Sequence, residues 1–578
     1  MSVILPIKKN FKSKLIALVG AFTTLAINPW FAYDPINLPK MLVLSIGAGF
    51  LLGGLFFDSA WRSNLSILLI SGFFALFLFI SFFANSTDKF QQLWGVWGRS
   101  TGLLTYCAFI VILLSAVIES SNDSLSLIRL IFERVGYVIT FYTFLQVLDL
   151  DPINWSQKLM VATLGNINFM SSFLGLTSIS YLSRVYMQRH SVSSKIFYLA
   201  IVITNLYLIL ISQSIQGVGV FFAGLTILMV FYIRGKVNLF VALSVLSASS
   251  AIGVMVLLGT AGLGPLSNLR QETVIFRIDY WTAALNMIRA NPLHGVGIDS
   301  YGDYYRQFRS FEAVTRTGPQ RVSNTAHNIF LDISSGAGIV AGLLFLAIIA
   351  LVLISILSAL KRDYRNEDFV VYAGMFFGFI VFCMISINQI GIGVWGFVFA
   401  GLLIGNFVKF RFTVTFDKIQ SRKLKGTTNP AKTKVAVEGS SVPIRGQKKN
   451  LHLTLSCVLS LLLGLLALVP NFQDAKFLSA MRNANLDQAI DLSRKVGIQE
   501  FHREALVAAL VKAGRGKEGL AVATEIIRRN PNNWQAWVAI LLSDEASSEQ
   551  RANAASQLIR LDPNNEAIKS DIKRILSK

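Results

Sequence analysis

Charged residues are scarce in this chain. Asp, Glu, Lys and Arg make up 15% of its 578 residues, whereas soluble domains carry about 25%. Hydrophobic residues make up 53%, and the mean hydropathy is +0.56. So little charge in so long a chain excludes an ordinary soluble fold and favours a multi-pass membrane protein.

Cysteine and paired acidic residues are scarce as well. The three cysteines, Cys107, Cys383 and Cys457, lie inside apolar runs without metal-ligand spacing, so we interpret them as small residues of a membrane core. Asp149 and Asp151 have Asp-x-Asp spacing, but they stand at the start of a short loop and we interpret them as capping or surface residues. The sequence therefore predicts neither a metal site nor another cofactor.

Acidic residues are fewer than basic ones, 32 against 53, which gives a net charge of +21. The basic residues lie mainly in short loops between apolar runs, which is the distribution that positive-inside orientation produces. We therefore predict no nucleic-acid partner and a cytoplasmic N-terminus. The first apolar run has no small-x-small cleavage site after it, so we expect it to be a spanning helix.

Apolar runs of about 20 residues, long enough to cross a bilayer, recur along the chain. The sequence predicts an all-α, polytopic membrane protein with about 13 spanning helices, a long outer loop and a C-terminal helical-repeat region. The runs are residues 14–30, 38–57, 64–84, 101–118, 130–149, 164–183, 195–212, 216–233, 238–259, 336–360, 369–388, 391–408 and 452–470.

This threading divides the chain into four parts. Residues 1–410 form the predicted membrane domain, 411–450 a basic cytoplasmic linker, 451–470 the last spanning helix, and 471–578 an extracytoplasmic C-terminal region. The linker is rich in Lys, Gly, Thr and Ser, so we expect it to be flexible and to lie near anionic lipid.

The outer loop runs from about residue 260 to 335, and loops of this length are usually functional or disordered. Residues 274–290 carry apolar side chains at helical spacing, which predicts an amphipathic helix on the outer membrane surface. Arg277 shares a face of this helix with Trp281. The loop is rich in arginine, either as ordinary surface charge or as a site for an anionic ligand such as phosphate.

Polar residues also mark the outer ends of other helices. Arg99 precedes the fourth apolar run. It is either a snorkelling interfacial residue or an anion-binding group at a helix N-terminus. Asn166 and Asn168 open the sixth run, as caps or as sugar contacts. Gln216 lies at the outer turn between the seventh and eighth runs, where a polar group is costly unless it is paired or lines a wet cavity.

His327 ends the outer loop, directly before Asn328 and an apolar segment with many small residues. Alone it would be a helix cap or an interfacial residue, but its loop also holds Arg277, Arg306 and Arg309. A neutral imidazole with a pKa near about 6.5 can act as a base or can orient an acceptor hydroxyl. The small residues that follow predict close helix packing.

Four stretches share this predicted outer location. They are GRSTGLL at 98–104, LGNINF at 164–169, RIDYWTAALNMIRANPLHGVGIDSY at 277–301 and HNIFLDISSGAGIVAGLLFL at 327–346. Their order and location resemble the O-antigen ligase and O-antigen polymerase superfamily of bacterial membrane glycosyltransferases. The resemblance covers roughly residues 10–410.

The resemblance implies transfer of a glycan from an undecaprenyl-diphosphate carrier to an acceptor hydroxyl, on the outer face of the bacterial inner membrane. It implies no metal and inversion at the anomeric carbon. The catalytic residues that it implies are His327 and Arg277. Gln216 departs from the family's pattern, because the family often has an arginine at this position. An arginine of the outer loop would contact the diphosphate in its place. The predicted diphosphate-binding residues are Arg99, Arg277, Arg306 and Arg309, and weaker acceptor or sugar contacts are Asn166, Asn168, Gln216 and Asn328.

The C-terminal region has the composition of a soluble segment. EIIRRNPNNWQAW and QLIRLDPNNEAI repeat, and Pro531 and Pro563 stand at nearly the tetratricopeptide period of about 34 residues. This pattern predicts two or three degenerate tetratricopeptide units, which bind peptide segments in a groove. The region would recruit a protein partner or acceptor, or else would cap the last helix.

Several functions stay open at this stage. A ligase transfers a finished glycan to lipid or protein, whereas a polymerase joins repeat units on the carrier, and the C-terminal region favours a ligase or protein O-oligosaccharyltransferase. A transporter would have ionisable residues in mid-helix and internal repeats. A non-catalytic membrane anchor would not need an arginine-rich loop that ends in a histidine.

Overall fold

The computed structural model is 78% helical and has no strand in the residues that it describes. This confirms the all-α fold class. The described residues are 11–29, 34–58, 64–153, 155, 159–186, 191–362, 366–425 and 445–577.

Each of the thirteen predicted apolar runs overlaps a helix in the described residues, although the run at 336–360 is interrupted at Gly338. The first ten helices are Phe11–Leu25 (α1), Asn37–Phe56 (α2), Leu65–Ala84 (α3), Lys89–Trp94 (α4), Leu103–Ile118 (α5), Asn122–Val147 (α6), Ile167–Tyr186 (α7), Val192–Ile211 (α8), Ile215–Arg234 (α9) and Leu239–Thr260 (α10). The outer loop contains a 3₁₀ turn, Gly264–Leu269, and then Glu272–Ala290 (α11), Tyr301–Phe308 (α12), Phe311–Thr317 (α13) and Ile329–Ala337 (α14). The remaining helices are Ile339–Lys361 (α15), Glu367–Ile385 (α16), Ile390–Lys425 (α17), Arg445–Arg482 (α18), Leu486–Ser493 (α19), Glu500–Lys512 (α20), Gly516–Arg529 (α21), Trp534–Leu542 (α22), Ser548–Leu561 (α23) and Glu566–Leu576 (α24).

Nine helices within the described ranges are long and apolar enough to cross a membrane, and α5 is a shorter apolar helix. The count of about 13 spans therefore stays a prediction. Residues 426–444 of the predicted linker lie outside the described residues, while α17 continues to Lys425 and α18 begins at Arg445.

The two ends of α1 contact different helices. At one end Lys12, in α1, donates to Asp58 (2.8 Å), just after α2. At the other end the hydroxyl of Thr24, also in α1, donates to the carbonyl of Gly391 (2.8 Å) at the start of α17. The start of α1 therefore lies beside the end of α2, and the end of α1 beside the start of α17; the threading and the orientation of the two ends in the membrane stay predictions.

Charged residues in α6 belong to a buried network. Arg129 is fully buried and donates to Glu133 (3.0 Å) and to Asp368 of α16 (2.9 Å). Arg184 of α7 also donates to Glu133 (3.0 Å). Matched opposite charges offset the cost of leaving water, which explains how this part of the chain remains in the bundle.

The segment after His327 is two helices, α14 and α15, separated at Gly338. Gly338 has φ +90°, and a Cβ there would lie 2.2 Å from the carbonyl oxygen of Leu293, so the position requires glycine. The N–H of Val296 donates to the carbonyl of Ser335 (2.8 Å) nearby. The small residues near Gly338 therefore allow the backbone of the outer loop to pack closely against these helices. The sequence predicts only close helix packing for them.

The C-terminal region is helical, as predicted. Its consecutive helices pack against each other in chain order, around a core of its own that includes Leu506, Leu510, Ile526 and Leu558. The tetratricopeptide assignment stays a prediction.

Candidate functional site

His327 lies in a tight turn immediately before α14. Its φ is +52°, a left-handed conformation that is uncommon outside glycine and must be held by its surroundings. The N–H of His327 donates to the hydroxyl of Thr325 (3.2 Å), and Asp332 accepts from that hydroxyl (2.5 Å) and from the N–H of Ala326 (2.7 Å). The imidazole stacks on Tyr280 of α11, with ring centroids 5.6 Å apart. The turn is therefore fixed both by α14 and by α11.

Three effects lower the pKa of His327 to about 4. Burial is the largest, because it disfavours the charged imidazolium. The positive charges of Arg277 and Arg99 add to it. The imidazole is therefore neutral near pH 7, and one of its ring nitrogens is free to accept a hydrogen bond.

Arg277 is a half-buried arginine of α11. It makes no ion pair or hydrogen bond with any other residue that the structure describes, and burial lowers its pKa. Two nearby arginines are engaged, since Arg316 donates to Asp279 (2.8 and 3.0 Å) and Arg321 lies 4.6 Å from the ring centre of Phe276. A half-buried guanidinium without a partner, beside a neutral imidazole, is suited to bind an anion.

Arg99 forms a buried ion pair with Asp299 of the outer loop. The two side chains are 7% and 6% exposed, and Arg99 donates to the carboxylate. Asp299 also accepts from the N–H of Val96 (2.7 Å) and from the hydroxyl of Thr101 (3.3 Å). The loop before α5 and the Gly-rich turn of the outer loop, GVGID at 295–299, are thereby joined, and the charge of Arg99 is compensated.

A small cavity of about 30 Å³ lies beside this ion pair, lined by Tyr106, Tyr301, Asp332 and Asn388 among others. Burial raises the pKa of Asp332 to about 6, although Arg99 lowers it. The cavity holds about one water molecule.

Arg306 and Arg309 contact the C-terminal region. Arg309 is 1% exposed and donates to Asp562 (2.6 Å), to which Arg306 also donates (3.3 Å). The guanidinium of Arg306 lies 4.5 Å from the ring centre of Trp534. Diphosphate binding by these two arginines stays a prediction.

Asn166 and Asn168 stand at the start of α7. The side chain of Asn166 accepts from the N–H of Asn168 (2.8 Å), and the side chain of Asn168 accepts from the hydroxyl of Ser214 (2.8 Å), just before α9. Both therefore organise this end of the bundle, and their sugar contacts stay predictions.

Gln216 and Asn328 converge on the end of α16. Gln216 is 4% exposed and donates to the carbonyl of Ile385 (3.3 Å), while Asn328 donates to the carbonyl of Met384 (3.1 Å). Asn328 also caps α14 through its side-chain oxygen. The structure thus brings the Gln216 segment next to the residue that follows His327.

The outer loop and the helices around it match a known family. Residues 200–346 match the O-antigen ligase family. The match includes Arg277 and His327, and it confirms the resemblance to the O-antigen ligase superfamily. A comparison with curated proteins gives no match.

The match and the apolar helices indicate a multi-pass inner-membrane enzyme that is ligase-like or polymerase-like. Such an enzyme uses a lipid-linked glycan donor and an acceptor. The ligase-like segment from α8 to α15 thus contains the part of the site that lies around His327.

Sequence reasoning missed Tyr280, Asp299 and Asp332. Tyr280 stands three residues after Arg277, on the same face of a helix, so its position was available from the spacing. The roles of the two aspartates depend on contacts with distant segments, which periodicity does not reveal.

Proposed function

We propose that this chain transfers a glycan from an undecaprenyl-diphosphate donor to an acceptor hydroxyl, as a metal-independent, inverting ligase. The observation that carries the proposal is the neutral His327, stacked on Tyr280 beside Arg277, which has no hydrogen-bond or ion-pair partner among the described residues. The family match over residues 200–346 contains all three and supports it.

Arg277 binds the donor diphosphate in this proposal. During transfer the bond between the anomeric carbon and the phosphate oxygen breaks, and its electron pair leaves with the diphosphate. A fixed guanidinium stabilises that negative charge without a metal ion. Arg99 holds the adjoining turn of the outer loop in place through its pair with Asp299.

His327 orients the acceptor hydroxyl and takes its proton. The hydroxyl oxygen forms the new bond to the anomeric carbon from the side opposite the diphosphate, which inverts the centre. An anion at Arg277 compensates the charge that lowers the pKa of His327, so donor binding raises the basicity of the imidazole. The base thus becomes stronger when the donor is in place.

We place this reaction on the outer face of the inner membrane, with the N-terminus in the cytoplasm and the C-terminal region outside. The acceptor is a glycan, a lipid or a protein. In a polymerase the same groups would act on a hydroxyl of a second carrier-linked unit, and in a protein O-oligosaccharyltransferase on a side-chain hydroxyl.

The test uses the purified full chain in nanodiscs with an undecaprenyl-diphosphate glycan, and measures release of the lipid diphosphate and formation of product. We expect His327→Ala and Arg277→Ala each to lower the rate by at least about 100-fold. Matched controls are His452→Ala and Arg270→Ala. The ring of His452 packs on Phe57 at the opposite end of the bundle, and Arg270 is an exposed residue of the outer loop.

Wild-type rates in both His327→Ala and Arg277→Ala would overturn the assignment. A wild-type protein that turns over no such donor would favour the membrane-anchor interpretation.

A further inference from the structure

The C-terminal region repeats one short turn at the ends of two helices. RNPNNW includes the end of α21, and LDPNNE includes the end of α23. Asn530 and Asp562 occupy the same position in the two turns, 32 residues apart. Both side chains are fully buried, although the turns lie at helix ends where polar side chains usually reach water.

Both turns contact α12 of the outer loop. The Asn530 amide donates to Glu500 (3.0 Å), and it lies close enough to the carboxyl group of Asp303, in the first turn of α12, to counteract the rise of that group's pKa on burial. Asp562 accepts from Arg306 (3.3 Å) and Arg309 (2.6 Å) at the other end of α12. The turn that meets a carboxyl group has an amide, and the turn that meets two guanidinium groups has a carboxylate.

A second position of each turn repeats this pairing. The Asn532 side chain lies close enough to the hydroxyl of Tyr304 in α12 to counteract the rise of its pKa on burial, and the Asn564 amide donates to the carbonyl of Arg309 (2.8 Å). Two successive repeats therefore present the same two positions to successive parts of one helix. This regular arrangement differs from an incidental contact between surface residues.

The contacts continue from α12 to the candidate site. Arg309 donates to the carbonyls of Pro319 and Arg321 (both 3.0 Å). The guanidinium of Arg321 lies over the ring of Phe276, which directly precedes Arg277 in α11. A buried arginine that binds two carbonyls in addition to a carboxylate fixes the backbone that surrounds it.

We propose that the two turns are an intramolecular docking surface whose partner is α12. Docking would hold the outer loop so that Arg277 stays beside His327 in the candidate site. The C-terminal region is thus a brace for the loop. Its effect on glycan transfer rests on the proposed function, whereas the docking itself does not.

The docking is tested by hydrogen–deuterium exchange of the full chain in detergent. Asp562→Asn removes a buried charge but keeps the size of the side chain, and it leaves two guanidinium groups uncompensated. We expect amides of α12 to exchange at least about 10-fold faster, while those of α5 and α7 are unchanged. The matched control is Asp571→Asn, an exposed residue of α24 that pairs only with Arg574 in the described part of the chain.

A second variant separates docking from folding of the C-terminal region. Asn530→Asp places a carboxylate against Asp303 and Glu500, so exchange in α12 should again increase. Adding Asp303→Asn, a change in the outer loop, removes one of the two carboxylates that repel the new carboxylate at position 530. The double variant should therefore regain part of the protection of the α12 amides against exchange. Unchanged exchange of α12 in both Asp562→Asn and Asn530→Asp, or no rescue by Asp303→Asn, would overturn the docking.

Transfer is measured on the same proteins. We expect Asp562→Asn to lower the rate at least about 10-fold, with Asp571→Asn at the wild-type rate. Loss of docking with an unchanged rate would overturn the positioning role, whereas absence of transfer in the wild type would count against the proposed function instead.

Discussion

Lowering the pH tests the role of His327 most directly. In the proposed reaction only the neutral imidazole accepts the acceptor's proton, so the rate at low donor concentration should follow the neutral fraction. The surroundings lower the pKa of His327 to about 4, so the active form persists as the pH falls below the ordinary value and is lost only near that pKa. Near pH 5 about 90% of the imidazole is neutral, compared with about 3% for a pKa of about 6.5, a difference of about 30-fold.

The assay is the initial rate of lipid-diphosphate release at donor concentrations below KM, from about pH 8 down to about pH 4.5, because kcat/KM reports groups of the free enzyme. We expect a rate that stays within about twofold from neutral pH down to about pH 5. The chain has five histidines, so labelled histidine also allows the ring of His327 to be titrated by NMR, with His327→Ala for assignment.

Arg277→Ala provides the matching perturbation in the NMR titration. The change removes one of the two cations that lower the pKa of His327, so the pKa should rise. It should not reach the ordinary value, because burial is the largest cause and remains. Arg270→Ala should leave the titration unchanged. A wild-type rate or ring titration centred near about pH 6.5 would refute the reasoning.

Three further predictions follow from the contacts of the site. Asp299→Ala should lower the free energy of unfolding by about 3–5 kcal/mol in detergent, because it leaves Arg99 buried without its partner. Asp299→Asn should lower it by about 1–3 kcal/mol. Equal stability of Asp299→Ala and the wild type would contradict this. Gly338→Ala should cost at least about 1–3 kcal/mol because its Cβ would meet the carbonyl of Leu293, whereas Gly72→Ala, which has open space around it, should leave the melting temperature unchanged. Chelation of divalent cations by EDTA should leave the transfer rate unchanged, and a loss that Mg²⁺ restores would show that the arginines do not suffice.

Much of the fold could be predicted from the sequence because a spanning backbone must satisfy its own hydrogen bonds in lipid, which long apolar runs achieve as helices. The helix expected over residues 274–290 is confirmed as α11. The break at Gly338 was not predicted, because the run of apolar and small residues continues across it. Its cause is the carbonyl of Leu293, which belongs to a different part of the loop.

The partners of the arginines were beyond the reach of sequence patterns. Arg99 and Asp299 are 200 residues apart, and Arg309 and Asp562 are 253 residues apart. An arginine in an outer loop has the same local sequence whether a ligand or a distant carboxylate compensates its charge. Only the contacts distinguish Arg277, which has no partner in the described residues, from these two.

The buried network of α6 has a consequence for the biosynthesis of the protein. Arg129 has Glu133 on its own helix, but its other carboxylate, Asp368, is synthesised 239 residues later. At ribosomal rates this interval is about 10–50 s. During that time the positive charge of Arg129 lacks one of its two carboxylate partners. The helix α6 therefore cannot reach its final environment until α16 has been made. The membrane domain would then mature in a late step, and a chain truncated before α16 should be a substrate for membrane quality control.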